Sequence, residues 1–208
     1  MMKPDLMMVQ SALPILDIAG IAVFAVSGAL AAARLRMTLI TFVFFAAVTG
    51  TGGGTLRDLL IGAPVFWIHD SRALFVCLAA ALAVWSTPQR WWPAKALDWF
   101  DGIGLAAYAV FGAWKALAYG VSPLPATMMG VVTACMGGII RDVLAGKPSI
   151  LLRPELYVTA AALAAALFVA LNLAGVDLFA AAGIATAAGF LLRALAISRG
   201  LALPAYRH

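Results

Sequence analysis

Apolar residues run along this chain in long blocks, and polar residues gather in the short gaps between them. The blocks cover positions 14–33, 38–62, 73–87, 98–119, 124–146, 155–173 and 177–197. A helix needs roughly 20 apolar residues to cross the hydrocarbon core of a bilayer. Most blocks reach that length. The third is short and is expected to draw in residues from Ser71 onward or the Trp91–Trp92 end. Helix is predicted throughout, because backbone in lipid must satisfy its hydrogen bonds within its own segment. The pattern therefore predicts an all-α membrane protein with seven transmembrane helices.

Composition strengthens this reading. The chain has 208 residues, of which 64% are hydrophobic and 11% charged, and its mean hydropathy is +1.02. Soluble domains carry about 25% charged residues, so this surface must face lipid over most of its area. The formal net charge is +5, but the basic residues lie mostly at segment ends. They read as topology signals and headgroup contacts, and no nucleic-acid partner is expected. Cys77 and Cys135 fall inside apolar blocks and read as small buried hydrophobes. His69 sits beside Asp70 in a loop, and His208 is terminal, so no metal-ligand set is expected.

Seven spans put the termini on opposite sides. One side collects Arg34, Arg36, Arg90, Lys95, Lys147, Arg153, Arg193, Arg199 and Arg207; the other holds Lys3, Arg72 and Lys115. Nine against three predicts an outside N-terminus and a cytoplasmic C-terminus. Met1 to Pro14 lacks a signal-peptide pattern and is expected to be a short tail. The tryptophans Trp85, Trp91, Trp92 and Trp99 mark an interfacial belt near the centre of the chain.

The chain also repeats itself. Shifted by 84 positions, Asp17 falls on Asp101, Gly20 on Gly104, Gly28 on Gly112, Thr49 on Thr133 and Gly53 on Gly137. The same register carries Arg57 onto Arg141, Asp58 onto Asp142, Gly62 onto Gly146 and Pro64 onto Pro148. Each unit holds three spans, and an odd number inserts the second unit upside down, giving an inverted repeat. The predicted organisation is a tail over 1–13, a first three-helix repeat over 14–87 and a linker over 88–97. An inverted second repeat over 98–173, a seventh helix over 174–198 and a basic tail over 199–208 complete it. Ala181, Ala185 and Gly189 recur every four residues on the seventh helix, a smooth face for close packing.

The strongest matches concentrate in two motifs. Thr49 to Thr55 reads Thr-Gly-Thr-Gly-Gly-Gly-Thr, and Gly137-Gly138 is a milder copy. Glycine weakens a helix interior, so the second and fifth spans are expected to kink or unwind at Gly52, Gly53, Gly54, Gly137 and Gly138. The spacing fits neither a dinucleotide fingerprint nor a P-loop. Arg57-Asp58 and Arg141-Asp142 follow one turn later. Adjacent helical residues point about 100° apart, so each charge is expected to pair elsewhere: Arg57 with Asp142 or Asp101, and Arg141 with Asp58 or Asp17. These charges either cap helix ends at the interface or line a water-filled path. Lys115 either snorkels or lines the same path. Ser27, Thr49, Thr51, Tyr108 and Thr133 are candidate polar lining. No Ser/His, paired-carboxylate or metal-ligand arrangement predicts an enzyme, and no cofactor is expected.

Two copies of Gly-Gly-x-x-Arg-Asp-x-x-x-Gly-x-Pro, on the second and fifth of seven spans, resemble the bacterial TRIC proteins, relatives of trimeric intracellular cation channels. The resemblance covers residues 14 to 198. It implies a homotrimer in membrane lipid with a hydrophilic pore in each subunit, conducting K+ or Na+. It also implies that the glycine-kinked second and fifth helices bound the pore. The animal members' Lys-Glu-Val signature is absent. Arginines at the pore mouths repel cations unless Asp58 and Asp142 neutralise them, so selectivity among small monovalent cations is expected to be modest. The alternative is a secondary transporter of glycine or another small amino acid on the same scaffold.

Overall fold

The computed structural model describes residues 4–152 and 154–204, with side chains described from Asp17 onward. Lys3, Arg153, Arg207 and His208, counted above as topology or terminal residues, lie outside the described residues. Eight α-helices follow in order: α1 Pro4–Arg34, α2 Leu39–Leu60, α3 Phe66–His69, α4 Arg72–Ser86, α5 Ala96–Ala118, α6 Pro123–Leu144, α7 Val158–Leu173 and α8 Leu178–Arg199. Two 3₁₀ turns, Gln89–Trp91 and Ile150–Leu152, bridge α4 to α5 and α6 to α7. The short helix α3 was not anticipated: it places His69 at a helix end.

The seven longer helices fall on the seven apolar blocks. Among the described residues, Asp17–Arg34 of α1, α2, α6 and α8 are long and apolar enough to cross a membrane. Helix α5 has 23 residues but carries Asp98, Asp101 and Lys115. Helices α4 and α7 are apolar but have 15 and 16 residues; at 1.5 Å per residue neither alone spans a core about 30 Å thick. Much of the expected tail is helical, since α1 extends back to Pro4, a residue the first helical turn tolerates because its missing N–H has no intrahelical partner there.

The glycine-rich segment does not unwind. Helix α2 is continuous through Gly50–Gly54, and α6 through Gly137–Gly138. The reason lies in packing. A Cβ on Gly53 would strike the Thr133 carbonyl oxygen, and a Cβ on Gly137 would strike the Thr49 carbonyl oxygen. These contacts are reciprocal at the 84-residue offset, and they let α2 and α6 cross backbone to backbone. The crossing needs residues without side chains, and helix–helix contact then holds the segment helical despite its low propensity. Phe24 packs on Gly104, and Tyr108 on Gly20, in the same reciprocal way. The alanine face of α8 is buried as expected, with Gly189 against Ala164 and Ala160 of α7.

Both motif helices end alike. Gly62 and Gly146 take φ of 70° and 62°. Ala63 N–H bonds the Asp58 carbonyl at 2.8 Å, and Lys147 N–H bonds the Asp142 carbonyl at 3.0 Å. This left-handed glycine cap satisfies the last carbonyls and turns the chain back along its own helix, with Pro64 and Pro148 preventing continuation.

Candidate functional site

The turn-back creates the site. After α2 the returning chain brings the Phe66 N–H to Asp58 Oδ2 at 3.3 Å. After α6 it brings the Ile150 N–H to Asp142 Oδ2 at 2.8 Å. Each carboxylate is thus oriented by the loop that follows it and is free to hold a cation with its other oxygen.

Arg141 is 1% exposed and sits in the more complete cluster. Its Nε donates to Asp142 Oδ1 at 2.9 Å and its Nη2 lies 2.8 Å from the same oxygen. Its Nη1 donates to Asp101 of α5 and to the Ser27 hydroxyl of α1. Ser27 in turn donates to Asp101 Oδ1 at 3.4 Å. Gly138 keeps this space open, since a Cβ there would fall 2.7 Å from the Tyr157 hydroxyl.

The second cluster surrounds Arg57. Its Nε donates to Asp58 Oδ1 at 2.8 Å, and Lys115 Nζ reaches the same oxygen at 2.8 Å. The Arg57 guanidinium lies over the Phe111 ring, 5.1 Å from its centroid. Asp17 accepts from the Tyr108 hydroxyl at 2.7 Å.

These contacts correct two expectations. The adjacent Arg and Asp do pair, because an arginine side chain is long enough to wrap the 100° between neighbouring helical positions. The expected pairs of Arg57 with Asp142 or Asp101, and of Arg141 with Asp58 or Asp17, are absent among the described ion pairs. The side-chain contacts that cross between halves at these clusters are instead Lys115–Asp58, Tyr108–Asp17, and Ser27 with both Arg141 and Asp101. Lys115 therefore does not snorkel: it is held by a buried carboxylate and its side chain is 16% exposed.

The hydroxyl candidates divide. Ser27 joins the Arg141 cluster. Thr51 and Thr133 donate to carbonyls one turn back, at 2.8 and 2.6 Å. Thr49 is buried at the α2–α6 crossing, its hydroxyl without an acceptor among the described residues. Gly52 faces Ile140, and Gly54 faces Phe66.

Sequence reasoning missed a third buried cation. Arg193, counted as a topology charge, is 0% exposed. It pairs with Glu155 at 2.9 Å and lies over the Tyr157 ring at 5.2 Å. Arg193 sits on α8, outside the 84-residue offset, so the repeat gave no signal for it. Phe66, Phe111 and Tyr157 were also missed; aromatic residues in an apolar chain carry no mark of their neighbours.

A cavity of about 310 Å³ opens beside the Arg57 cluster, lined by Asp17, Phe66, Asp70, Arg72, Phe111 and Lys115 among others. Hydrogen bonds from the Arg72 side chain, then its backbone, hold the Asp70 carboxyl below its usual range. A second cavity of about 420 Å³ is lined by Arg34, Arg36, Trp85 and Trp92. A third, of about 760 Å³, is an apolar groove between α1, α5, α7 and α8, with no charged residue in its lining.

A helical membrane protein with paired buried Arg–Asp clusters about a glycine crossing defines the class. The profile of the family described as "Glycine transporter" matches residues 14–89 and 98–173. A UPF0126 membrane protein of Vibrio cholerae is 47% identical over 156 residues, covering 72% of this chain and 64% of its own length. The Escherichia coli UPF0126 inner membrane protein YadS is 43% identical over 148 residues, covering 70% of this chain and 72% of its own. The solved TRIC trimeric intracellular cation channel orthologue from Rhodobacter sphaeroides superposes with a TM-score of 0.85 at 43% identity, covering 92% of this chain and 100% of that one. The chain belongs to this bacterial TRIC family of membrane proteins.

Proposed function

We propose that the chain is a monovalent cation channel of the bacterial inner membrane, with a hydrophilic path for K+ and Na+ inside each subunit of a homotrimer. The observation that carries this reading is the charge content of the Arg141 cluster. One guanidinium meets two carboxylates, Asp101 and Asp142, with formal charge −1. The Arg57 cluster, with Arg57 and Lys115 against Asp58 and Asp17, is formally neutral. A cation therefore meets no uncompensated positive charge at either motif, and one excess negative charge favours it. Solved relatives described as cation channels support the same conclusion.

In this reading the seven longer helices all span. Two three-helix repeats lie inverted about the α2–α6 crossing, and α8 stands outside them. The glycines of α2 and α6 bound the narrowest point and allow hinging there. Helices α4 and α7 complete their spans with the flanking turns. Setting aside the buried Arg193 and the ion-paired Lys115 leaves eight basic residues against two, a bias that supports a cytoplasmic C-terminus.

Purified protein in planar bilayers with KCl tests the function. Unitary cation currents are expected, with K+ and Na+ permeating comparably. Saturable glycine uptake into vesicles with no unitary events overturns the channel in favour of a transporter.

A further inference from the structure

The cavity of about 420 Å³ lies between the α1–α2 turn, the end of α4 and the linker that leads into α5. Leu30, Phe42 and Val84 make part of its lining apolar, and Arg34 and Arg36 make part of it cationic. No acidic residue lines it. Neither arginine belongs to an ion pair among the described residues. Arg34 Nη2 donates to the Ala94 carbonyl at 2.6 Å, which ties the guanidinium to the linker. Its other N–H groups have no acceptor among the described residues. Two lining tryptophans are also held in place. Trp85 stands edge-on to Phe42 with ring centroids 5.0 Å apart, and Trp92 Nε1 donates to the Thr87 hydroxyl at 2.9 Å. Arg34 ends the apolar stretch Asp17–Arg34, so the arginines and tryptophans stand where hydrocarbon gives way to headgroups.

The backbone at Arg36 is a second, independent observation. Among the described residues, α1, α2, α5, α6, α7 and α8 are each followed by a residue of positive φ. Five of these residues are glycine; after α1 it is Arg36, with φ 52°. The position 84 residues on is Gly120, with φ 81°. The two turns close alike. Arg36 N–H bonds the Ala33 carbonyl and Met37 N–H the Ala32 carbonyl, at 3.0 and 3.2 Å; Gly120 and Val121 bond Leu117 and Ala116 at 2.9 and 3.0 Å. A side chain is strained in this conformation, so the turn by itself calls for glycine. The second repeat supplies neither the charge nor the ring, since the counterparts of Arg34 and Trp85 are Ala118 and Val169. The strain at Arg36 is therefore tied to this one cavity, where it sets a guanidinium in the lining.

We propose that this cavity binds one anionic phospholipid, its phosphate held by Arg34 and Arg36 and its glycerol end lying against Phe42, Trp85 and Trp92. Phosphate oxygens accept guanidinium N–H groups in pairs. The apolar lining and the fixed indole rings suit the glycerol and first methylenes, which free phosphate lacks. Two arginines without a carboxylate favour a headgroup of net negative charge over a zwitterionic one, whose ammonium they would repel. The site stands on this geometry and does not depend on conduction.

Thermal unfolding of the purified protein in mild detergent tests the proposal, with phosphatidylglycerol, phosphatidylcholine and sodium phosphate added in separate series at equal ionic strength. Phosphatidylglycerol is expected to raise the melting temperature with increasing concentration; the other two are expected to raise it much less. Arg36→Gly is the decisive variant, because it relieves the left-handed strain as Gly120 does. Its melting temperature without lipid is expected to equal or exceed that of the wild type. Its apparent affinity for phosphatidylglycerol is expected to fall about tenfold, through loss of a charge-assisted contact. Arg34→Gln is expected to weaken the lipid effect likewise. Arg199→Gln removes an exposed charge outside the cavity lining and is expected to keep the lipid effect. No rise with phosphatidylglycerol, or an equal rise with phosphatidylcholine or phosphate, overturns the site. So does an undiminished effect in Arg36→Gly, or an equal loss in Arg199→Gln, which would show diffuse attraction between charged surfaces.

Discussion

Arg141, which is buried, and Lys115, which is partly exposed, both hold motif carboxylates, yet their removal should differ in cost. Arg141→Met leaves Asp101 and Asp142 buried without their partner, which costs about 3–5 kcal/mol. Lys115→Met leaves Asp58 still held by Arg57, so the loss should be near that of one charged hydrogen bond, about 1.5–3 kcal/mol. Thermal or denaturant unfolding in detergent that ranks Lys115→Met as the more harmful contradicts this arrangement. The glycines offer a second comparison at the same scale. Gly53→Ala and Gly137→Ala press a methyl into the carbonyls of Thr133 and Thr49. Backbone cannot swing away as a side chain can, so each should cost about 1–3 kcal/mol or more. Gly183→Ala on α8 meets nothing within 4 Å and should be neutral or stabilise by up to about 1 kcal/mol. The equivalence of Arg57 with Arg141 and of Gly53 with Gly137 was legible in the sequence; their partners were not. An 84-residue register marks Arg57 and Arg141 as equivalent positions, but it cannot show that Tyr108 diverts Asp17 or that Ser27 crosses from α1 to Arg141.

At the scale of elements, apolar blocks located the seven longer helices because a lipid-facing helix is written in composition. The short third block became the 15-residue α4. Glycine content was the misleading signal. Propensity read alone predicts a broken helix at Gly50–Gly54, whereas packing of α2 against α6 keeps it whole. The terminating glycines are a different case, since Gly62 and Gly146 hold positive φ in open space. Gly62→Ala or Gly146→Ala should therefore lower stability by about 1 kcal/mol through backbone strain alone. A drop in melting temperature as large as that of Gly53→Ala would show that these turns have packing duties beyond their caps. The turns matter to the site because they return the Phe66 and Ile150 N–H groups to Asp58 and Asp142. Loosening either turn should be felt at its carboxylate.

Across the whole molecule, the two motif clusters are chemically related but electrically unequal. The Arg141 cluster carries one more carboxylate than guanidinium, and the Arg57 cluster is balanced. A path past both should favour cations without demanding a single ion size, which is why modest K+/Na+ discrimination accompanies the proposal. Asp101→Asn cancels the excess charge and should reduce cation preference over chloride, although the lost ion pair will also lower stability. The measurement that tests the central claim most directly is the reversal potential of purified wild-type protein in a bilayer under a KCl gradient. The account predicts unitary currents reversing close to the K+ equilibrium potential. Currents reversing at or beyond zero toward the chloride potential, or no unitary currents in protein shown to be folded, would contradict it.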